Sequence, residues 1–184
     1  MKHFLPLFIL TGLAFGQERR EVVVDRYPTG VKKEVIIFEG EGTKEKIVGK
    51  VYYYDTEKLE VYAEWKNGQE NGLYETYYRN GKQALLTNIT RLDGFAYYSG
   101  KTTIWWYNGN KWCEGICGLK NVGVEPWIAE IEDEKEREEM IELVGAGQDY
   151  YGKVGLWKFY HLNGALDYDT TFTKNDIDFL CIFV

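Results

Sequence analysis

The ten residues GLYETYYRNG, Gly72 to Gly81, are written three times along the chain with small changes. The later copies are GKTTIWWYNG, Gly100 to Gly109, and GLWKFYHLNG, Gly155 to Gly164. Each begins with Gly, has an aromatic residue at its sixth position and an aromatic residue or His at its seventh, and ends in Asn-Gly. Self-similarity of this kind predicts a repeat protein whose unit is one supersecondary element.

Two weaker copies precede these three. The segment DRYPTG ends at Gly30, and GKVYYYDTEK, Gly49 to Lys58, lacks the final Asn-Gly. The tenth positions then fall at residues 30, 58, 81, 109 and 164, so the last spacing is about twice the others. That spacing contains either two ordinary steps or one step with an insertion, which residues 122–151 would supply.

The repeated phrase has the signals of a β-hairpin. Asn-Gly favours tight hairpin turns, because Asn tolerates positive φ angles and Gly adopts them freely. Positions three, five and seven are mostly apolar or aromatic and alternate with a mixed set, which is the period of a strand. We therefore predict an all-β fold, an antiparallel meander of stacked β-hairpin repeats in one elongated, twisted sheet.

The sixth position stands out within the mixed set because it is aromatic in all four copies from Gly49 onward. Its occupants are Tyr54, Tyr77, Trp105 and Tyr160. In stacked hairpins these residues are expected to form a ladder on one face, and a cross-strand aromatic pair contributes about 0.2–1 kcal/mol. The ladder is either a purely stabilising feature or a hypothetical binding surface, since Tyr and Trp are enriched at interfaces and stack on other rings.

Residues 126–144 have a different pattern, with apolar residues at both ends and eight consecutive charged residues, Glu132 to Glu139, between them. Pro126 suits a first helical position and Gly145 suits the stop. We predict one inserted α-helix, held at its apolar ends and solvated at its centre. Two pairs have the i,i+4 spacing of helical ion pairs: Asp133–Arg137 and Lys135–Glu139.

Residues 1–16 have the pattern of a secretory signal peptide. A basic start is followed by a short apolar run, with the small residues Ala14 and Gly16 at the −3 and −1 positions of a cleavage site. The run is too short to span a membrane. We predict cleavage after Gly16 and a secreted or periplasmic protein, with an uncleaved anchor as the alternative. The mature part, residues 17–184, is long enough for a single domain.

The C-terminal nine residues, DIDFLCIFV, are almost entirely apolar. They predict a buried last strand, which the helix, the early strand around EVVVDRY (Glu21 to Tyr27) or a partner would have to cover.

The net charge of −7 excludes two classes of partner. Most of the acidic surplus lies between Glu125 and Glu142, and no basic stripe exists to neutralise phosphates. Nucleic-acid binding is therefore not expected, and binding to an anionic membrane surface is disfavoured. A protein partner is the expectation that remains.

No constellation of residues indicates catalysis. His161 is the only histidine beyond the predicted cleavage point and replaces an aromatic residue at a seventh position, so we interpret it as a structural ring. One histidine supports neither a Ser-His-Asp triad nor a His-rich metal site, and no Gly-rich phosphate loop is present. Asp167 and Asp169 could belong to a calcium site, but solvated strand positions explain them. No catalytic residue, metal or cofactor is predicted.

Three cysteines, Cys113, Cys117 and Cys181, are too few for a disulfide scaffold and are interpreted as buried thiols. In an extended strand Cys113 and Cys117 lie about 13 Å apart, too far for a bridge. A bend at Gly115 would bring them closer, so their pairing stays open.

The phrase G-x4-aromatic-aromatic-x-Asn-Gly and the linking WKNGQENG, Trp65 to Gly72, resemble MORN repeats, and more closely the bacterial YwqK-family antitoxin form. The likeness covers roughly residues 20–121 and 152–173. It implies an elongated twisted sheet of hairpins and a role in protein or surface contacts, with no catalytic residues. The helical insertion and the apolar end depart from the family. The antitoxin activity is not carried over, because toxin neutralisation is usually cytoplasmic.

These observations together predict an exported, non-catalytic repeat protein that acts as a protein-interaction or scaffold module through an aromatic sheet face. The alternative is a carbohydrate-binding protein of the cell envelope. A carboxylate-based hydrolase would need two facing carboxylates about 5–10 Å apart.

Overall fold

The computed structural model describes residues 19–92, 94–121, 131–144 and 149–173. The predicted signal peptide and the apolar C-terminal segment lie outside these ranges. The strands are β1 (Arg19–Arg26), β2 (Lys32–Glu39), β3 (Lys46–Tyr53), β4 (Leu59–Lys66), β5 (Gln69–Tyr77), β6 (Gln83–Leu92), β7 (Phe95–Trp105), β8 (Lys111–Asn121), β9 (Asp149–Tyr160) and β10 (Leu166–Phe172). A 3-10 turn (Gly42–Lys44) joins β2 to β3, and helix α1 (Glu134–Val144) lies between β8 and β9.

The ten strands form one sheet in which the spatial order is the sequence order, and every neighbouring pair is antiparallel. The all-β meander of hairpins predicted from the repeat is therefore confirmed. Successive pairs of strands form five units, from unit one (β1–β2) to unit five (β9–β10). In the described sheet β1 and β10 are the edge strands.

The long last spacing is one repeat step with an insertion. Strand β8 pairs directly with β9, starting from Asn121 opposite Asp149, so no hairpin is missing between units four and five. The insertion ends before Asp149, and residues 149–151 of the predicted segment belong to β9.

The predicted helix over 126–144 is wrong at its start. Residues 131–133 are not helical, and α1 begins at Glu134. The reason is Asp133, whose carboxylate accepts the backbone N–H of Glu136 at 2.8 Å. This is an N-cap, which satisfies a donor that has no partner within the first helical turn. Residues 126–130 lie outside the described part of the chain.

Of the two predicted ion pairs in the helix, Lys135–Glu139 is present at 3.5 Å. Asp133 serves as the cap instead, and Arg137 directs a guanidinium nitrogen to the carbonyl of Ile131 at 3.5 Å. Residues 132–136, 138 and 139 are exposed, in agreement with a solvated centre. Of the apolar residues predicted to hold the two ends, Ile131 is half-buried, and the side chains of the others lie outside the described part of the chain.

Strand register defines two faces of the sheet. Residues paired across strands share a face, and consecutive residues alternate between faces. Face B contains the row Val35, Val51, Tyr62, Glu75, Leu86, Thr103, Glu114 and Lys158. Face A contains the alternate residues, which include positions three and five of each strong copy.

The most deeply buried cluster lies on face A in the last two units. Cys113, Cys117 and Trp157 are each at most 2% exposed, and Ile104 and Phe159 are among the side chains packed against them. Trp157 covers the backbone of Gly115, where an added Cβ would lie 2.2 Å from the indole. Gly115 is therefore required for this packing rather than for a turn.

All five hairpin turns are closed by the same two backbone hydrogen bonds. The N–H of the seventh position donates to the carbonyl of the eleventh, and the N–H of the tenth donates to the carbonyl of the seventh, at 2.7–3.0 Å. The turns span Tyr27–Val31, Tyr54–Lys58, Tyr78–Lys82, Trp106–Asn110 and His161–Ala165. The hairpin is thus one structure copied five times.

This common turn corrects the alignment of the second copy. Its tenth position is Glu57, with φ of 64°, whereas the other copies have Gly there with φ of 87–89°. Tyr54 consequently occupies the seventh position, and Tyr53 occupies the sixth. The sequence placed Tyr54 one position early because the second copy lacks the Asn-Gly that marks the turn elsewhere.

A side chain at each seventh position links its unit to the next. The hydroxyl or indole N–H donates to the backbone carbonyl of the sixth position in the following unit. The bonds are Tyr27 to Tyr53 (2.9 Å), Tyr54 to Tyr77 (2.8 Å), Tyr78 to Trp105 (2.7 Å) and Trp106 to Tyr160 (3.2 Å). A long ring with a donor at its far end spans this distance with few rotatable bonds, in agreement with the recurrence of Tyr or Trp there.

Asparagine at the ninth position makes a second link of the same kind. The Oδ1 atoms of Asn80 and Asn108 accept the N–H two residues further on, both at 2.9 Å. Their Nδ2 atoms donate to the carbonyls of Tyr107 (2.8 Å) and Leu162 (2.6 Å) in the following unit. Asn-Gly therefore serves both the turn and the stacking of units.

We expect Glu57→Gly to stabilise the protein by about 0.5 kcal/mol. A left-handed conformation costs a non-Gly residue about 1–2 kcal/mol, which Gly would remove. The greater conformational freedom of Gly in the unfolded chain reduces this gain in stability by about 0.4–1 kcal/mol. Gly109→Ala is the matched opposite and should destabilise by about 1 kcal/mol or more, since its Cβ would also lie 2.9 Å from Lys82 Cδ. Urea unfolding measures both; a lower midpoint for Glu57→Gly would contradict the alignment.

We expect Tyr78→Phe to destabilise the protein by about 0.5–1.5 kcal/mol, because it removes one donor to the next unit and keeps the ring. Tyr107→Phe is the control, because the Tyr107 side chain is 59% exposed and its hydroxyl makes no hydrogen bond within the described residues. The control should change the free energy of unfolding by less than about 0.5 kcal/mol. Equal effects of the two variants in urea titrations would show that the inter-unit bond contributes nothing.

Candidate interaction surface

The structure places the four predicted ladder residues in two different sets. Tyr77, Trp105 and Tyr160 occupy sixth positions and lie on face B at the ends of their strands. Tyr54 occupies a seventh position, where its hydroxyl is used to bond the carbonyl of Tyr77. It is therefore part of the links between units rather than of a face-B row.

The three face-B aromatics do not stack on one another. A return strand separates each from the next, and their direct partners are Gln83, Lys111 and Leu166 respectively. Among the described ring contacts, those in this region join other residues: Tyr78–Tyr107 and Trp106–Trp112, both at 5.3 Å between centroids. The stabilisation expected from an aromatic ladder is thus not supplied by Tyr77, Trp105 and Tyr160.

Carboxylates hold two of the face-B tyrosines in place. The Tyr77 hydroxyl donates to Glu75 Oε2 at 3.0 Å, and burial together with this bond raises the pKa of Tyr77 to about 12. The Tyr160 hydroxyl donates to Glu114 Oε1 at 2.7 Å, and this bond with burial raises the pKa of Tyr160 to about 12. Both phenols therefore stay neutral and fixed in orientation on the sheet surface.

Glu114 connects two neighbouring strands at this point. Its other oxygen receives the Lys111 ammonium at 2.7 Å. The hydrogen bonds from Lys111 and Tyr160 lower the pKa of the Glu114 carboxyl below its ordinary value. Trp105 pairs with Lys111, so one carboxylate organises the surroundings of both Trp105 and Tyr160.

Exposed apolar side chains are concentrated in the last two units. Among the described residues, the large apolar side chains with the greatest exposure are Val24, Phe95, Tyr107, Trp112, Ile116, Leu119, Leu156, Leu162, Leu166 and Tyr168. All except Val24 lie in units four and five. Scattered exposed apolar residues are normal, but a concentration in one region marks an interaction site.

We define the face-B surface as Trp105, Glu114, Ile116, Leu156, Lys158 and Tyr160. Ile116 and Leu156 are each 52% exposed and line a shallow groove together with Lys101, Glu114 and Lys158. Glu114 pairs with Lys158, and Lys101 pairs with Ile116, so these side chains are neighbours on one face. The arrangement is an apolar centre with charges around it.

Sequence reasoning found Trp105 and Tyr160 but missed Ile116 and Leu156. Leu156 occupies the second position of the last copy, which the alternation had already placed opposite the apolar set. An apolar residue at that outward position was the available signal. Ile116 lies outside the ten-residue phrase, so comparison of copies could not draw attention to it.

His161 ends the series of seventh positions. Its Nε2 lies 3.1 Å from Asp167 Oδ1 within the same hairpin, and both side chains are largely exposed. Within the described chain no unit follows it to receive the hydrogen bond that Tyr or Trp donates at the other seventh positions.

The part of the chain that the structure describes contains no group of three or more His, Cys, Asp or Glu residues able to hold a metal ion. Neither does any helix within it have the length and apolar character needed to cross a membrane. Comparison with protein-family models, with curated proteins and with solved structures gives no match. Function must therefore be argued from the surface just described.

The cysteines are in two different states. Cys113 is a free thiol with no exposed surface, and burial raises its pKa to about 11. Cys117 is disulfide-bonded, so the prediction of three buried thiols is wrong for this residue. A Cys113–Cys117 bridge is excluded because Cys113 is free. The partner of Cys117 lies outside the described residues, as does Cys181.

We expect thiol titration to distinguish these states. The native protein should expose no reactive thiol, because Cys113 is fully buried and protonated at neutral pH. Denaturation without reductant should release one thiol, and reduction should bring the total to the three cysteines of the sequence. A peptide map of alkylated, unreduced protein should place the label on Cys113; label on Cys117 would contradict the disulfide.

Proposed function

We propose that this protein is an exported, non-catalytic repeat protein that binds a protein partner through the face-B surface of its last two units. The observation that carries the proposal is that Ile116 and Leu156, each 52% exposed, line one groove on the face that also holds Trp105 and Tyr160. An apolar centre with a charged rim is the usual composition of a protein interface. Units one to three continue the same sheet on one side of this surface.

Two features support export. Residues 1–16 have the composition of a signal peptide. The disulfide at Cys117 suits an oxidising compartment, since such bonds persist outside the cytosol. The sheet of successive hairpins agrees with the resemblance to MORN repeats, and we extend that resemblance to contact-making alone, without an antitoxin activity.

A carbohydrate ligand is the second candidate. Trp112 is 37% exposed and its indole lies 5.3 Å from that of Trp106, with the ring planes tilted by 42°. Exposed indoles offer faces on which a sugar ring can stack. This pair is distinct from the face-B surface, so a Trp112→Ala variant separates the two candidates.

We expect the triple variant Trp105→Ala, Ile116→Ser, Leu156→Ser to lose partner binding. Truncating central apolar side chains of an interface costs about 1–4 kcal/mol each, so affinity should fall at least tenfold. Phe95→Ser is the matched control, because Phe95 is 68% exposed but lies at the opposite end of β7.

The measurement starts with cross-linking in native envelope and identification of a protein captured by wild type and by Phe95→Ser. Binding of that protein, purified, is then titrated against each variant. Undiminished binding by the folded triple variant, judged by its urea midpoint, would rule out the face-B surface. Glycan-array binding that depends on Trp112 would favour the carbohydrate alternative.

A further inference from the structure

The two edges of the sheet present unpaired strands. In the described structure β1 pairs with β2 alone and β10 pairs with β9 alone. Residues 166–171 of β10 are all exposed. A strand edge with open N–H and C=O groups is a template on which another strand can add.

The internal junctions between units share one register. The residue at the fourteenth position of a unit always pairs with the fifth position of the next. The four pairs are Glu34–Tyr52, Val61–Thr76, Leu85–Ile104 and Cys113–Phe159. A further unit added after the fifth would therefore have a register fixed in advance by the repeat.

The two ends of the array are complementary in their hydrogen bonding. Asn163 holds its turn as Asn80 and Asn108 do, with Oδ1 accepting the Ala165 N–H at 2.9 Å. Within the described chain there is no sixth unit to receive its Nδ2. At the other end, the carbonyl of Pro28 occupies the eighth position, which accepts this asparagine donor in the later units.

The edge strands are also complementary in charge. Strand β1 contains three arginines and two acids, and β10 contains two aspartates and no base. Pairing of β10 with itself would place Asp167 and Asp169 near their own copies, and pairing of β1 with itself would bring arginines together. Like charges facing each other across strands are destabilising, so an unlike pairing of the two edges is favoured.

We propose that β10 of one chain pairs with β1 of a second copy, so that chains assemble head to tail and the sheet continues from unit five into unit one. In the register of the internal junctions Tyr168 lies opposite Asp25, and Asp169 lies opposite Val24, which is the β-bulge residue between the pairs that Val23 and Asp25 make with β2. Asp167 is then near Arg26, whose guanidinium donates a hydrogen bond to the backbone carbonyl of Gly30 at 2.8 Å. Each contact leaves one open edge at either end, so growth continues beyond a dimer.

The test is sedimentation velocity of the exported chain, disulfide intact, over a range of concentrations. Wild type should form species larger than a dimer as concentration rises. Val24→Glu should abolish them, because the new carboxylate faces Asp169 of the next copy. Val24 is 49% exposed, so the substitution leaves the fold intact. The double variant Val24→Glu, Asp169→Lys should restore the assembly by reversing the charge of the partner position.

Each other outcome overturns the proposal. A wild-type chain that stays monomeric has no such contact. Assembly unaffected by Val24→Glu places the contact elsewhere, and failure of the double variant to restore it contradicts the register. The face-B triple variant should assemble normally, so loss of partner binding and loss of self-assembly are separable results. Circular dichroism and urea midpoints confirm that each variant is folded.

Discussion

The hydrogen bond from each seventh-position side chain to the sixth-position carbonyl of the next unit is the constraint on which the architecture depends. A β-hairpin alone is marginal in water, and a flat sheet has no second layer to set the position of its neighbours. Tyr54 and Tyr78 provide that positioning, because each reaches across the return strand to the following unit. The bond demands a ring with a terminal donor, and the sequence repeats for that reason.

Most of the fold could be predicted from the sequence because this constraint acts locally. Asn-Gly turns and two-residue alternation predict the hairpins and their order, whereas the number of units within the last spacing was decided by the pairing of β8 with β9. The exception is the second copy, whose turn has Glu57 at φ of 64° in place of Gly. Because Glu gives no turn signal, Tyr54 is assigned from the sequence to the sixth position, whereas it occupies the seventh. The start of α1 was misplaced because Asp133 could be either an ion-pair partner or a cap, and only the backbone decides.

The candidate surface was predictable in part. Trp105 and Tyr160 follow from the repeat, since a residue's face is fixed by its parity on the strand. The contribution of Ile116 and Leu156 depends on exposure, which is a property of the whole sheet. The state of Cys117 was not predictable for a similar reason. A disulfide depends on which distant segments meet, and the local spacing of Cys113 and Cys117 left their pairing open.

Units four and five differ from the others for a physical reason. In a stacked array each interior unit has its donors and acceptors used by its neighbours, so its side chains are constrained by stacking. Within the described chain no unit follows unit five, and His161, which replaces the ring donor, contacts Asp167 instead. Leu156 and Ile116 lie on β9 and β8, away from the turns that carry these links, and each is 52% exposed. In the described sheet β10 is also an edge strand. The surface proposed for recognition and the β10 edge proposed for self-assembly therefore both lie in the last two units of the described sheet.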